Sequence, residues 1–221
     1  MGGGPGAHDS GRIVLRIGCV PDLPFQRLQG LLGALYVRDG REGTEVVHLR
    51  TPEQLNRVLT GELDAAVIHH HRDVAGVETQ LLFAGERLCA FVPVGHRLAA
   101  ASPLASGDFE QETLLVGPRA IDPPLHDRLM GALDAGGLRF RAVREVGGGD
   151  PRDILLAAAE GRGVAIAPAS TPDVVGGADA IVSRCEIEPA LLGPDTLIAW
   201  RTDASTRIAD LIAAARELQS T

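Results

Sequence analysis

The chain has 221 residues, 45% of them hydrophobic, which is enough for one large domain or for two smaller lobes with separate cores. The formal net charge is -8, and the 21 basic residues, all of them arginine, are interspersed with acidic ones. A protein that binds nucleic acid by itself usually carries a basic face, so we do not expect these residues to contact DNA directly.

The apolar runs, the N-terminal residues and the spacing of the cysteines further limit the class of protein. The apolar runs are far too short to span a membrane, and residues 1–11 lack the basic-then-apolar order of a signal peptide. We therefore expect a cytoplasmic protein, without membrane contact, that begins with a flexible leader over 1–11. Cys19, Cys89 and Cys185 are scattered without CxxC spacing, which argues against a disulfide framework or a structural zinc site. We expect no cofactor.

Hydrophobic periodicity predicts strands and helices in alternation along the chain. Strands are predicted near 13–18, 45–49, 65–68, 80–83, 88–94, 114–117, 140–146, 164–167, 181–185 and 196–200. Helices are predicted near 28–35, 52–59, 108–111, 122–133, 154–158 and 208–218. Asp22 and Thr51 are suitable N-cap residues for the first two helices.

The alternation favours an α/β fold with mostly parallel sheets flanked by helices. No linker rich in proline, glycine or serine divides the chain after residue 11. Two lobes would therefore have to be joined by strands that cross between them. The best candidates for these crossing strands are 88–94 and 196–200.

Four segments, in this order, carry a family resemblance. They are LRIG (15–18), LTGELDAAVI (59–68), LLFAGERLCAFVPVGH (81–96) and LLAAAEGRGVAIAP (155–168). With them the chain resembles the effector-binding domain of LysR-type transcriptional regulators, although Arg97 stands where the family usually has proline. The resemblance implies a type 2 periplasmic-binding-protein fold, with lobe I at 12–88 plus 198–221 and lobe II at 92–195.

The resemblance also implies partners. A small effector is expected between the lobes, and such domains pair side by side as homodimers. Family regulators bind DNA through an N-terminal winged helix-turn-helix. That module is expected to be absent from this chain, so DNA binding is not carried over to these residues.

Ligands of open α/β sheets bind beyond the carboxyl ends of the strands, where helix N-termini offer free N–H groups. The candidate ligand-binding residues at these ends are Asp22, Leu23, Thr51, Pro52, His69, His70, Pro118, Arg119, Gly149 and Pro168. The resemblance implies effector contacts from a serine or threonine after the first strand, a position that Asp22 occupies here, and from a threonine that opens the second helix, here Thr51.

The charges at these positions suggest an effector chemistry. The Asp22 carboxylate favours a donor-rich or cationic group, and the Arg119 guanidinium favours a carboxylate. We therefore hypothesise that the two side chains face one another across the cleft and hold a small polar or zwitterionic effector. The alternative is that Asp22 only caps a helix and is turned away from the cleft.

Two alternatives to a sensor come from other features. Three adjacent histidines, His69 to His71, could serve a metal-dependent enzyme, but neighbouring strand residues alternate faces, so all three cannot meet at one ion. Cys19 could act as a nucleophile beside His69, although no G-x-S-x-G or HExxH motif is present. A cytoplasmic solute-binding protein is the remaining alternative. We expect a sensor and not an enzyme.

Overall fold

A computed structural model describes residues 15–39, 43–69, 73–204 and 208–218 of the chain. Two five-stranded sheets, each with helices on both faces, form two lobes, which confirms the predicted α/β fold class. None of the helices in the described ranges has the length and apolar character needed to cross a bilayer.

The first lobe contains the start and the end of the described chain. Its strands are β1 (Leu15–Cys19), β2 (Thr44–His48), β3 (Ala65–His69), β4 (Val77–Phe83) and β10 (Thr196–Arg201), in the order β2-β1-β3-β10-β4. Its helices are α1 (Phe25–Asp39), α2 (Thr51–Thr60) and α6 (Ala209–Leu218). One core, around Ile17, Leu31 and Leu211, packs α1 and α6 on the sheet, and Leu55 and Ile68 belong to a second core under α2.

The second lobe repeats this plan. Its strands are β5 (Leu88–Pro93), β6 (Thr113–Val116), β7 (Ala142–Glu145), β8 (Val164–Pro168) and β9 (Val182–Glu186), in the order β7-β6-β8-β5-β9. Its helices are α3 (Pro123–Ala135), α4 (Pro151–Ala159) and α5 (Thr171–Val175). The core on the α3 side contains Phe109 and Leu133, and the core on the α4 side contains Phe91 and Leu155.

Both sheets are mixed, whereas the alternation of elements predicts mostly parallel ones. β1 pairs in parallel with β2 and β3, and β6 pairs in parallel with β7 and β8. β10 is antiparallel to β3 and β4, and β5 is antiparallel to β8 and β9. The parallel pairs are those connected through helices; β5 and β10 instead enter each sheet from the other lobe and run against their neighbours.

The chain passes between the lobes at 84–87 and returns at 187–195, so β5 and β10 each lie within one sheet. The two passages pair with each other: Leu88 N donates to Leu191 O at 2.8 Å, and Gly193 N donates to Glu86 O at 2.8 Å. They also approach one another at Gly85, where an added Cβ would lie 2.1 Å from the carbonyl oxygen of Gly193. The predicted lobe boundaries and crossing strands stay a prediction.

Two predicted helix caps are wrong. The N-cap of α2 is Arg50, without a side-chain cap, because Thr51 is already helical and its hydroxyl accepts a hydrogen bond from His69 N at 3.3 Å. Asp22 lies three residues before α1, and its carboxylate contacts His69 instead of a helix terminus. By contrast, Asp122 caps α3, accepting from Leu125 N at 3.2 Å. The sequence pattern also missed the short helix α5.

Candidate effector site

A cavity of about 150 Å³ lies between the lobes. The first lobe contributes three polar residues to its wall, Asp22, Arg50 and His69, which follow β1, precede α2 and end β3. The second lobe contributes the ends of β6 and β8 and parts of α3 and α4. This wall is largely apolar and includes Val116, Ile121, Leu125, Leu129, Ile154 and Ile166.

Two glycines allow the loops of the second lobe to meet beside the cavity. A Cβ on Gly117 would lie 3.0 Å from the Cα of Gly149, a separation that side-chain-bearing residues rarely tolerate. Gly149 also has a φ of +76°, which favours glycine over any other residue. The glycine-rich turn before α4 therefore serves close packing, and both glycines line the cavity.

Asp22 and His69 form an ion pair at the polar end of the cavity. The His69 Nε2 atom lies 3.0 and 2.9 Å from the two carboxylate oxygens of Asp22, and the side chains are only 11% and 24% exposed, histidine first. Thr51 fixes the backbone of His69 through the hydrogen bond to its amide. The imidazole is therefore positioned from both its ring and its main chain.

Asp22 and His69 each favour the charged form of the other, and this effect outweighs that of burial. Burial by itself would raise the pKa of Asp22, but the charge and the hydrogen bond of His69 bring that pKa below its ordinary value. Burial would also lower the pKa of His69, yet Asp22 raises it above its ordinary value, with a smaller contribution from the Asp122 carboxylate of the second lobe. Asp22 thus favours the protonated form of His69, which also interacts with the Asp122 carboxylate of the second lobe.

Two basic residues, His69 and Arg50, lie at the polar end of the cavity. His69 Nδ1 is buried and has no hydrogen-bond partner among the described residues. Arg50 also lines the cavity, is partly exposed, and interacts electrostatically with both Asp22 and His69. The positive charge of Arg50 gives this end of the cavity a group that can interact with the polar part of a ligand.

The acidic residues of the wall, in contrast, are engaged. Asp22 is neutralised by His69, and Asp122, 7% exposed, accepts the capping hydrogen bond at the start of α3. The other polar residues of the wall are His126, the fourth residue of α3, and Thr171, the first residue of α5.

Five of the ten predicted residues line the cavity: Asp22, His69, Pro118, Gly149 and Pro168. Leu23 is buried and lines a smaller cleft beside it, between the lobes. Thr51 and Pro52 are not in the cavity wall, and His70 lies outside the described residues. Their roles in ligand binding stay predictions.

Arg119 does not face Asp22, contrary to the hypothesis from the sequence. Its guanidinium forms a two-bonded pair with Asp127 of α3, at 2.7 Å for each bond, and its side chain is 58% exposed. The hydrogen bond from Arg119 brings the pKa of Asp127 to about 2. A nearby partner in the first turns of α3 thus holds the arginine outside the cavity.

Sequence reasoning missed Arg50, Asp122 and the apolar contributions of α3 and α4. Arg50 stands directly before a helix start that contains proline, and Asp122 precedes two prolines. Proline marks the N-terminus of a helix, and helix N-termini surround the cleft of an α/β fold, so both residues could have been predicted to lie at the cleft. The signal for the apolar wall was weaker, because Ile154 and Leu125 fit the core pattern of an ordinary helix.

A second polar cluster links the lobes behind the cavity. Glu86, in the first passage between lobes, receives an ion pair from Arg27 of α1 at 2.8 Å. It also accepts hydrogen bonds from the hydroxyl and the amide of Ser170 at 3.0 and 3.3 Å. One carboxylate thus joins a residue of each lobe.

The other reactive side chains that the structure describes are not grouped around a metal site. Burial, with a smaller contribution from Asp22, raises the pKa of the Cys19 thiol to about 12, so it is protonated at neutral pH. Among the described residues, no three histidine, cysteine, aspartate or glutamate side chains are placed to hold a metal ion. His70 and His71 lie outside those residues.

We predict that replacing Asp22 with asparagine destabilises the protein more at about pH 6 than at about pH 9. The raised pKa of His69 means that its contribution is present below the unfolded value of about 6.5 and is lost as the pH rises through the folded value. Without Asp22, a buried imidazolium would be left unpaired at low pH, at a cost of about 3–5 kcal/mol. Denaturant unfolding at the two pH values measures the difference.

The matched control is Asp134→Asn, which removes an exposed carboxylate paired with Arg139 and should change the free energy of unfolding by less than about 0.5 kcal/mol. A loss for Asp22→Asn that is equal at both pH values would contradict the charged pair.

The chain matches the family model of the LysR substrate binding domain over residues 8–220. The structure of the BenM effector binding domain with its effector benzoate is similar, with a TM-score of 0.74 and 24% identity over 94% of this chain and 92% of that chain. The reduced OxyR regulatory domain from Pseudomonas aeruginosa gives a TM-score of 0.72 and 21% identity over 92% and 97% of the two chains.

Full-length BenM gives a TM-score of 0.73 at 24% identity, with 94% of this chain matching 68% of that one. No curated protein matches the sequence significantly.

At these identities the solved structures establish the fold, of the type 2 periplasmic-binding-protein kind, and the family model covers nearly the whole chain. The alternatives of a metal-dependent enzyme and a solute-binding protein gain no support from them. The chain therefore belongs to the LysR substrate-binding domain family, the effector-binding domains of LysR-type transcriptional regulators.

Proposed function

We propose that this effector-binding domain senses a small molecule with a single ring, held in the cavity between the lobes. The observation that carries the proposal is the cavity itself, whose wall is apolar on the second lobe and polar at Asp22, Arg50 and His69 of the first. A ligand in this position contacts both lobes at once, which is what a signal based on lobe orientation requires.

The size of the cavity supports a ring-sized ligand. Its volume is about 150 Å³, and an engineered protein cavity of about 150 Å³ holds benzene. The effector named with the BenM domain, benzoate, is a molecule of this class. The apolar wall favours an effector with an apolar body and one polar end, in place of the small polar or zwitterionic molecule suggested by the sequence.

We propose that the effector acts by shifting an existing equilibrium between lobe orientations. The passages at 84–87 and 187–195 are the hinge in this proposal, since they are the chain segments that join the lobes. Glu86 contacts Arg27 of the first lobe and Ser170 of the second, and these contacts stabilise one orientation of the lobes. A bound effector stabilises the lobe orientation in which the cavity wall is complete.

Sensing rather than catalysis is favoured by the state of the reactive groups. The Cys19 thiol is buried and protonated, and His69, the histidine that would activate it, is engaged by Asp22. Membership of a regulator family also supports the prediction of a cytoplasmic location, where transcription regulators act.

We predict that replacing Ile154 with tryptophan weakens binding of single-ring ligands by about tenfold or more, because the larger side chain occupies the cavity from α4. Calorimetric titration with benzoate, benzamide and benzylamine measures the effect. Whichever of the three binds the unmodified chain should lose affinity for the variant.

Leu156→Trp is the matched control. Leu156 lies on the same helix, is 53% exposed and is not part of the cavity wall, so its replacement should leave affinity unchanged. Equal affinities for the Ile154 variant and the unmodified chain would place the ligand elsewhere.

We also propose that the domain forms a homodimer through α1 and the edge strand β2. Phe25, Tyr36 and Val37 are 69%, 58% and 85% exposed, and a groove in α1 leads from Phe25 to Thr44 at the start of β2. Large apolar side chains grouped beside an unpaired sheet edge are typical of a surface that is covered in the assembled protein.

Replacing both Tyr36 and Val37 with arginine is expected to give a monomer, since two buried charges facing their symmetry copies oppose association. Light scattering after size-exclusion chromatography measures the mass. Val143→Arg, on an exposed position of the second lobe, is the control and should leave the mass unchanged. A monomeric unmodified chain at high concentration would disprove the dimer.

A further inference from the structure

We propose that the ion pair between Arg27 and Glu86 holds the lobes in the orientation that completes the cavity, and that it thereby sets the affinity for the effector. The inference rests on the proposed function, because it names what regulates the same cavity. Arg27 and Glu86 are positioning residues in this proposal, since neither belongs to the cavity wall.

Glu86 is fixed to the second lobe, although it lies in the passage between the lobes. The pairing of β5 with β8 continues beyond both strands as a hydrogen bond from Ala169 N to Arg87 O at 3.0 Å. One residue further, the hydroxyl and the amide of Ser170 donate to the two carboxylate oxygens of Glu86. The carboxylate therefore moves with the second lobe when the lobes change their orientation.

Arg27 is fixed to the first lobe. It lies in the first turn of α1, next to Leu28, which is buried in the core of that lobe. Its Cζ atom lies 4.9 Å from the ring centre of Phe83, the last residue of β4. The 2.8 Å ion pair with Glu86 is therefore a contact between the two lobes, and it breaks when they move apart.

Partial burial makes this ion pair stronger than one on the surface. The side chains of Arg27 and Glu86 are 32% and 18% exposed, whereas those of Arg87 and Glu188, 3.7 Å apart in the same crossing, are 53% and 64% exposed. Charges shielded from water attract one another more strongly, and a shielded carboxylate that loses its counter-charge is disfavoured. The orientation in which Arg27 reaches Glu86 is therefore the favoured one.

The cavity is complete in this same orientation. Pro168 and Thr171 line the cavity, so the loop that carries Ser170 also forms part of the effector site. A cleft of about 30 Å³, too small for a ring, is lined by the ion pair together with Asp22 and His69. The pair thus adjoins the polar end of the cavity without contacting the ligand. Breaking the pair lowers the fraction of molecules that are ready to bind, and with it the apparent affinity.

The first measurement is the distance between the lobes in the full chain without ligand, by pulsed electron spin resonance. Asn56→Cys on α2 and Ala135→Cys at the end of α3 place one spin label on each lobe at exposed positions, and the native cysteines are buried. An excess of unlabelled chain restricts the signal to distances within one chain. Glu86→Gln is expected to at least double the fraction of molecules outside the main distance peak.

The second measurement is calorimetric titration with whichever of benzoate, benzamide and benzylamine binds the unmodified chain. Glu86→Gln and Arg27→Gln should each weaken binding by about threefold or more. The double variant should lose no more than the weaker of the two single variants, since both changes remove one interaction. Arg27→Lys keeps the positive charge and should restore part of the affinity.

Glu188→Gln is the matched control. It removes a carboxylate from the other passage between the lobes, where the pair with Arg87 is exposed, and should change neither the distance distribution nor the affinity. Thermal unfolding of each variant shows whether it is folded.

The outcomes separate this inference from the proposed function. A larger fraction outside the main peak together with weaker binding supports the inference. An unchanged distance distribution in folded Glu86→Gln overturns it and leaves the sensor of single-ring compounds standing, as does a changed distribution with unchanged affinity. If none of the three probes binds at millimolar concentration, the proposed function fails for this size of ligand, and the distance measurement alone decides whether the ion pair holds the lobes.

Discussion

The ion pair between Asp22 and His69 organises the space between the lobes. A charge that is almost removed from water has to be neutralised locally, and here the two partners come from the ends of adjacent strands, β1 and β3. Their mutual attraction raises the pKa of His69, and the Nδ1 atom of the same ring is buried without a hydrogen-bond partner among the described residues. The polar chemistry of the cavity follows from this one pair and from the neighbouring Arg50.

The two lobes contribute unequally to the cavity. The first lobe supplies charges and hydrogen-bond donors, and the second lobe supplies an apolar surface from α3, α4, β6 and β8. A ligand with an apolar body and a polar end therefore interacts best when both lobes are close to it, which ties its binding free energy to the angle between them. Glu86, bonded to Arg27 and Ser170, adds a contact between the same two bodies away from the ligand.

The fold could be predicted from the sequence to a large extent, because strands such as Ala65–His69 and the proline starts of α2, α3 and α4 are local signals. The strand ends that meet at the cleft followed from the α/β pattern, so Asp22, His69, Pro118, Gly149 and Pro168 could be placed at its wall. Side-chain direction could not be predicted in this way. The Arg119 side chain binds the Asp127 carboxylate of α3, and the Thr51 hydroxyl accepts a hydrogen bond from the last residue of β3.

Methyl NMR of isoleucine-labelled protein tests the central claim most directly, because Ile121, Ile154 and Ile166 line the cavity while Ile17 and Ile187 are buried in the cores of the two lobes. Titration with benzoate is expected to shift the three cavity methyl signals together, at one common affinity, with far smaller changes at Ile17 and Ile187. Saturable binding that leaves the three cavity methyl signals in place would contradict the account, since the ligand would then occupy a different site.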